Sequence, residues 1–349
     1  MRAWALCLAL AACGDDAMTP TGDGSMPTPD SPPAVVEDIH FIGRFDAMHR
    51  FAWPGSQIRT RFEGTTISID LDDSGMSYYD VTIDGTTTTV HPASGRHMLA
   101  LASGLPAGMH DLAFSRRTES FFGIATFYGF SGATLIPTAR PQRLIEFIGD
   151  SITCGYGVLG AVATCNFTAD TEAETHAWGT FASTALDAVH VSIAYSGLGM
   201  YRNYGGDTSP TIPQRYGRTF ADDNASTWDF SYTPDVVVIN LGTNDFSGGD
   251  PGAPFVTAYV GFVQMLRSKF GNAAIVLAAS PMLGAPDHAK HKAYLDQVAS
   301  MVADANVSVV DIATQLASDG YGCDYHPNEV TQHKMSDQLV PAIRAATGW

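Results

Sequence analysis

The stretch Leu144-Ile145-Glu146-Phe147-Ile148-Gly149-Asp150-Ser151-Ile152-Thr153-Cys154-Gly155-Tyr156-Gly157 starts as a β-prone apolar run and breaks, within two residues, into a polar, glycine-rich turn. The same transition recurs further down the chain. Residues 189–194 give way to Tyr195-Ser196-Gly197-Leu198-Gly199, and residues 236–241 to Gly242-Thr243-Asn244-Asp245. Residues 275–279 and 307–312 are two more apolar runs, and after the second comes Gly322-Cys323-Asp324-Tyr325-His326-Pro327-Asn328. Between the runs lie helical patterns near 178–188, 254–270, 288–303 and 329–346. Apolar strands without period-two polarity are buried on both faces, so their alternation with helices predicts a doubly wound α/β domain with a parallel sheet. Ligands of such sheets bind beyond the carboxyl ends of the strands, which gathers these polar clusters on one edge.

Upstream the periodicity is two. Ile67, Ile69 and Leu71, then Tyr79, Val81 and Ile83, alternate with polar residues, and Asp84-Gly85, Ser94-Gly95 and Pro106-Ala107-Gly108 punctuate the runs. This pattern predicts an antiparallel β-sandwich over 36–136, with Asp84-Gly85 as a two-residue hairpin turn, ahead of the α/β domain at 137–349. Aromatic residues of such a sandwich belong to its core before they belong to a sugar site.

The 349 residues carry a net charge of −17, a surface that repels phosphate backbones and excludes nucleic acid as the main partner. With 45% hydrophobic and 10% aromatic residues the chain buries a core. Residues 1–13 read Met1-Arg2, an apolar stretch and Cys13, the pattern of a secretory signal. Leu10-Ala11-Ala12-Cys13 resembles a bacterial lipobox, so lipidation at Cys13 is expected, with 14–35 as a disordered linker between membrane and domain. The membrane is then a partner only through that anchor, and the protein is exported, to the cell envelope or beyond. A monomer is expected.

Ser151, His326, a nearby acid and several Gly or Asn donors are the groups that acyl transfer requires: a hydroxyl nucleophile, a base, an orienting group and preorganised N–H donors. The blocks Gly149-Asp150-Ser151, Gly197, Gly242-Thr243-Asn244-Asp245 and His326, in this order, resemble the SGNH (GDSL) hydrolase superfamily. The longer stretch 145–157, with Tyr201-Arg202-Asn203-Tyr204-Gly205-Gly206 and Asp324-Tyr325-His326-Pro327, resembles carbohydrate esterase family 2. That resemblance covers about residues 39–349. It implies a jelly-roll-like sandwich joined to a flavodoxin-like SGNH domain, and an acetyl esterase of plant polysaccharide or oligosaccharide. It makes Ser151 the nucleophile, His326 the general base, and the Ser151 N–H, Gly197 N–H and Asn244 amide the oxyanion donors.

The superfamily spacing Asp-x-x-His is broken, because position 323 is Cys and the acid is Asp324. Either the Asp324 carboxylate orients the imidazole from a differently bent loop, or a backbone carbonyl does. Asp150 and Asp245 are expected to hydrogen-bond neighbouring backbone rather than to catalyse. Tyr156, Tyr201, Tyr204, Tyr321 and Tyr325 lie near the strand-end loops and are candidates for stacking on sugar rings. Cys154, Cys165 and Cys323 permit one disulfide from three pairs, among which Cys154–Cys323 would tie the two catalytic loops together. No Cys/His spacing suits zinc, no cofactor is implied, and His288 with His291 is expected on a solvated helix face. Two other functions fit the same residues: another SGNH ester hydrolase, such as a lipase or thioesterase, or a carbohydrate-binding surface lipoprotein without activity.

Overall fold

The computed structural model describes residues 36–349; the expected signal, Cys13 and the linker lie outside the described residues. The α/β part contains five parallel strands, β1 (Leu144–Gly149), β2 (Val189–Ala194), β3 (Val236–Asn240), β4 (Ala274–Ala278) and β5 (Val307–Val310). They lie in the order β2-β1-β3-β4-β5. The chain therefore steps outward from β1 to β2, then crosses back to the other side of β1, and the resulting switch point sits beside the end of β1. Its helices are α1 (Ser151–Cys154), α2 (Trp178–Ala185), α3 (Ile212–Arg215), α4 (Gly252–Phe270), α5 (Ala285–Val302) and α6 (Glu329–Thr347).

Strands β3 and β4 read as nearly continuous apolar runs because each face of the sheet meets helices. Ile148, Val237, Ile239 and Leu277 pack with Phe255, Tyr259, Phe262 and Leu295 of α4 and α5. Ile145, Phe147, Val238 and Val276 pack with Trp178 and Ala182 of α2 and with Met335, Leu339 and Ile343 of α6. One expectation about α5 fails. His291 is completely buried rather than solvated, because its ring bridges two strand ends, with Nδ1 accepting from the Ser280 N–H and Nε2 facing the Leu241 carbonyl at 3.1 Å. His288 is directed to the Ile312 carbonyl, so the two rings serve the main chain. Burial pushes the His291 imidazole down to about 4, which keeps it neutral.

The preceding sandwich has a four-stranded antiparallel sheet in the order Arg50–Phe51, Ala125–Ser131, Thr66–Asp73, Gly95–Ser103. Its second sheet runs Thr134–Ile136, Gln57–Glu63, Met109–Arg116, Tyr79–Ile83, Thr86–Val90, with His40–Ile42 also paired to Gln57–Glu63. Phe51, Ile58, Phe62, Ile67, Ile69, Leu71, Val81 and Phe114 fill the space between them. At the Asp84-Gly85 turn both residues have positive φ, 50° and 80°, as a type I′ hairpin requires.

The two parts share a buried charge. Arg44 leaves the sandwich and is fully enclosed, its guanidinium 4.0 Å from the Trp228 ring centroid and 4.6 Å from that of Tyr216. It donates to the carbonyls of Tyr216 and Arg218 and stands 3.8 Å from the carboxylate of Glu146 in strand β1, which lies between β2 and β3. Glu146 also accepts the hydroxyls of Tyr216 and Tyr232. Burial pushes the Glu146 carboxyl up, while the guanidinium and the two phenols pull it back toward the charged form. Removing one partner strands the other charge away from water. Glu146→Ala is expected to cost about 3–5 kcal/mol, and the double variant Arg44→Met/Glu146→Leu distinctly less than two such losses, as read from urea unfolding midpoints.

Candidate active site

Three adjacent strand ends assemble the site. Ser151 is the first residue of α1, directly after β1; Gly197 follows β2, and Asn244 follows β3. The register aligns Gly149 with Ala194 on one side and Asn240 on the other, so all three loops leave the sheet at one level. Asp150 caps α1 by accepting the Ile152 N–H at 3.0 Å, which fixes the turn that presents Ser151. Asp245 accepts three consecutive N–H groups, those of Met200, Tyr201 and Arg202, at 2.7–2.9 Å. Both aspartates thus hold backbone. Burial pushes the Asp150 carboxyl up to about 7.

His326 arrives from the loop between β5 and α6. Its Nε2 lies 2.9 Å from Ser151 Oγ, and its Nδ1 lies 3.2 Å from the Asp324 carbonyl. A carbonyl only accepts, so Nδ1 carries the proton and Nε2 is the acceptor for the serine hydroxyl. Of the two arrangements that the sequence left open, the geometry has the second. The Asp324 carboxylate points elsewhere, accepting the Tyr156 hydroxyl at 3.0 Å and the Phe167 N–H at 3.1 Å. The reason is a backbone bend: Asp324 and Tyr325 both have positive φ, 50° and 60°, which turns the carbonyl of Asp324 toward the ring and its side chain away.

The bend is clamped by a disulfide between Cys165 and Cys323. The Cys154–Cys323 bridge is therefore corrected: Cys154 is a buried free thiol on α1, turned toward Glu119 of the sandwich at 3.7 Å. Asp324 and Tyr325 donate their N–H groups to the carbonyls of Cys165 and Ala163, and Cys323 donates to Gly157 at 2.9 Å. At Gly157, φ is +61° and a Cβ would come within 2.8 Å of Cys323, so this close approach of the two catalytic loops needs glycine.

Ser151, Gly197, Asn244, His326, Tyr156 and Tyr204 line one pocket of about 600 Å3, with Ser196, Thr243, Ser247 and Met282. Among the described residues neither the Ser151 nor the Gly197 N–H has a hydrogen-bond acceptor. The Asn244 amide donates to the Leu198 carbonyl at 2.9 Å and, at a longer 3.3 Å, to Asp150. Tyr156 stacks on Phe167, with ring centroids 3.9 Å apart, and lies 4.3 Å from the His326 ring. Tyr204 is 74% exposed at the rim. Tyr201, Tyr325 and Tyr321 do not line this pocket. Tyr201 is drawn to the far side by the Asp245 clamp, where it faces a separate groove with Met200 and Phe262. Tyr325 stands beside Tyr321, with its N–H tied to Ala163 on the outside of the loop. Sequence reasoning missed Phe167, which lies in an aperiodic stretch, and Glu119, a fully buried carboxyl from the sandwich under Ser196. Glu119, Cys154 and Glu172 place three potential ligand atoms within 4.8 Å of one another, the one such trio among the described residues. Glu119 spends its oxygens on hydrogen bonds to Ser196 and Cys154.

Comparison with known proteins fits this geometry. Residues 147–333 match the GDSL-like Lipase/Acylhydrolase family, and residues 41–138 match the Carbohydrate esterase 2 N-terminal model. A solved family two carbohydrate esterase from Clostridium thermocellum, in complex with cellohexaose, is 35% identical, with a TM-score of 0.85 over 89% of this chain and 99% of that one. The chain belongs to carbohydrate esterase family 2, within the GDSL-like hydrolases. Among curated relatives of this esterase family, the cellulase/esterase CelE of Acetivibrio thermocellus is 35% identical over 94% of this chain, which spans only 41% of CelE. An acetylxylan esterase / glucomannan deacetylase of Cellvibrio japonicus is 28% identical, over 87% of this chain and 86% of its own length.

Burial holds the His326 imidazole below its ordinary 6.5, against the opposing pull of the Asp324 and Cys323 backbone. A general base works in its neutral form, so ester hydrolysis is expected to persist below pH 6.5. It should fall tenfold per pH unit only beneath that lowered value, as a kcat/KM profile will show. Asp324→Asn keeps the carbonyl and suits a left-handed backbone, so kcat is expected to fall less than about tenfold; a side-chain triad would lose about 10⁴-fold.

Proposed function

We propose that this chain is an exported serine esterase that removes O-acetyl groups from plant polysaccharide or its oligosaccharides, of xylan or glucomannan type. The carrying observation is the 2.9 Å contact between Ser151 Oγ and His326 Nε2 at the mouth of a pocket bordered by three N–H donor groups. In this reading Ser151 Oγ attacks the acetyl carbonyl while Nε2 takes its proton. The oxyanion is received by the Ser151 and Gly197 N–H groups and by the Asn244 amide, which gives up its longer bond to Asp150. The tetrahedral intermediate collapses, the sugar oxygen leaves with the proton from the imidazolium, and acetyl-Ser151 remains. Water, deprotonated by Nε2, then attacks the acyl carbonyl; acetate leaves and Ser151 recovers its proton.

The lining of the pocket supports a short acyl group on a large polar alcohol. Met282 is the one aliphatic side chain at its wall, which offers little to a long acyl chain, while exposed Tyr204 suits a sugar at the rim. The names of the Cellvibrio relative and the cellohexaose complex of the Clostridium structure point to the same substrate class. Lipidation at Cys13, a monomeric state and an envelope location belong to this proposal as well.

Acetate release from acetylated glucomannan or xylan is expected from the wild type and not from Ser151→Ala, with a long-chain ester hardly cleaved. Long-chain hydrolysis alone would replace the reading with a lipase, and no hydrolysis of any ester would replace it with a binding protein.

A further inference from the structure

The Ser196-Gly197 turn is gripped from outside the α/β domain. Glu119 precedes the short 3-10 turn Ser120–Phe122 of the sandwich and is fully buried. Its Oε2 accepts the Ser196 N–H at 2.7 Å and its Oε1 accepts the Ser196 hydroxyl at 2.5 Å, so both carboxyl oxygens act on one residue. Among the described residues both of these bonds of Ser196 run to Glu119, and the peptide joining Ser196 to Gly197 has no hydrogen bond of its own. That peptide carries the Gly197 N–H. Gly197 has φ +79° and open space where a Cβ would be, so the turn itself supplies little restraint.

Glu172 backs Glu119. It is also fully buried, and its Oε2 accepts the Glu119 N–H at 3.0 Å while its Oε1 has no hydrogen-bond partner among the described residues. Two carboxyls this close and this dry do not both ionise. Burial pushes both carboxyls up, Glu172 well above the carboxylate range with the charge of Glu119 adding to it, whereas hydrogen bonds, those from Ser196 among them, pull Glu119 back toward the charged form; Glu172 is the one that keeps a proton and Glu119 keeps its acceptor capacity. Arg116, also buried, donates to the Glu119 carbonyl at 3.2 Å and fixes the main chain from which the carboxyl projects.

We propose that Glu119 is a positioning residue for ester hydrolysis: reaching across from the sandwich, it clamps Ser196 and so holds the Gly197 N–H in line for the oxyanion. This rests on the esterase reading above. The clamp touches no reacting atom; it acts through Ser196, and its further contact, the Cys154 thiol of α1 at 3.7 Å, is left in place by the Ser196→Ala variant below. Its effect belongs to the transition state, where the oxyanion forms, and leaves ground-state binding nearly untouched.

The experiment is steady-state hydrolysis of p-nitrophenyl acetate by wild type, Glu119→Ala, Glu119→Gln, Ser196→Ala and Ser151→Ala, with kcat and KM read separately and thermal unfolding alongside. Glu119→Ala is expected to lower kcat by about 100-fold with KM within about threefold, the size of losing one oxyanion donor. Glu119→Gln keeps an oxygen for the Ser196 N–H and an amide to meet its hydroxyl, so it should recover most of that loss; Ser196→Ala, which deletes only the hydroxyl contact, should lose about tenfold in kcat. A folded Glu119→Ala with wild-type kcat overturns the inference, as does a loss confined to KM. If Glu119→Ala does not fold, Ser196→Ala decides: unchanged kcat overturns the clamp and a kcat-only loss upholds it. A wild type that is silent on the ester overturns the esterase reading itself, and activity that survives Ser151→Ala overturns the assignment of the site; either is distinguishable from failure of the clamp alone.

Discussion

A guanidinium taken out of water must meet its counter-charge before the surface around it can close, and Arg44 meets Glu146 in an interior strand of the parallel sheet. This one buried pair makes sandwich and sheet a single folding problem. The aromatic rings of Trp228 and Tyr216 stack over the cation, and two phenol hydroxyls complete the carboxylate. Because Glu146 lies in β1, three residues before the Gly149 end that leads into Asp150, the same strand that presents Ser151 also anchors the neighbouring sandwich. A sandwich seated this way can deliver a second side chain, Glu119, under the turn after β2.

The site follows from topology as much as from residue type. Placing β1 between β2 and β3 brings three loops, each of unremarkable local structure, to one level, and the long return from β5 drops His326 onto Ser151. Backbone N–H bonds to the carboxylates of Asp150 and Asp245 stiffen the loops from behind, and the Cys165–Cys323 bridge stiffens the histidine loop from the side. Rigidity of this kind is what lets N–H groups stabilise charge without first reorganising.

Much of this was legible in the sequence because burial on both faces writes itself as uninterrupted apolar runs, and because each run ended in a chemically distinctive turn. Strands β3 and β4 are examples, and Asp84-Gly85 announced its hairpin through the demand for positive φ. What stayed hidden depended on partners far away in sequence. His291 reads as a solvated helix residue until two strand ends claim its ring nitrogens. Glu119 reads as surface, since an isolated carboxylate is seldom buried, and only the fold supplies Ser196 and Glu172. The choice of Cys165 over Cys154 turns on an aperiodic segment whose path no pattern of polarity encodes. Tyr201 was misplaced because three N–H groups bound to Asp245 swing it to another groove.

The orienting acceptor at His326 is a main-chain carbonyl, and this sets how the protein can vary. Every residue has that oxygen, so no change of side chain at position 324 deletes it; only a change in the path of the loop does. Severe heritable loss at this position thus comes through backbone shape, by insertions, deletions or residues that refuse a left-handed bend, while a replacement that keeps the bend gives up only the carboxylate's bonds to Tyr156 and Phe167. The catalytic group is in effect encoded by geometry, and a scan of single substitutions counts one functional group fewer than the site contains.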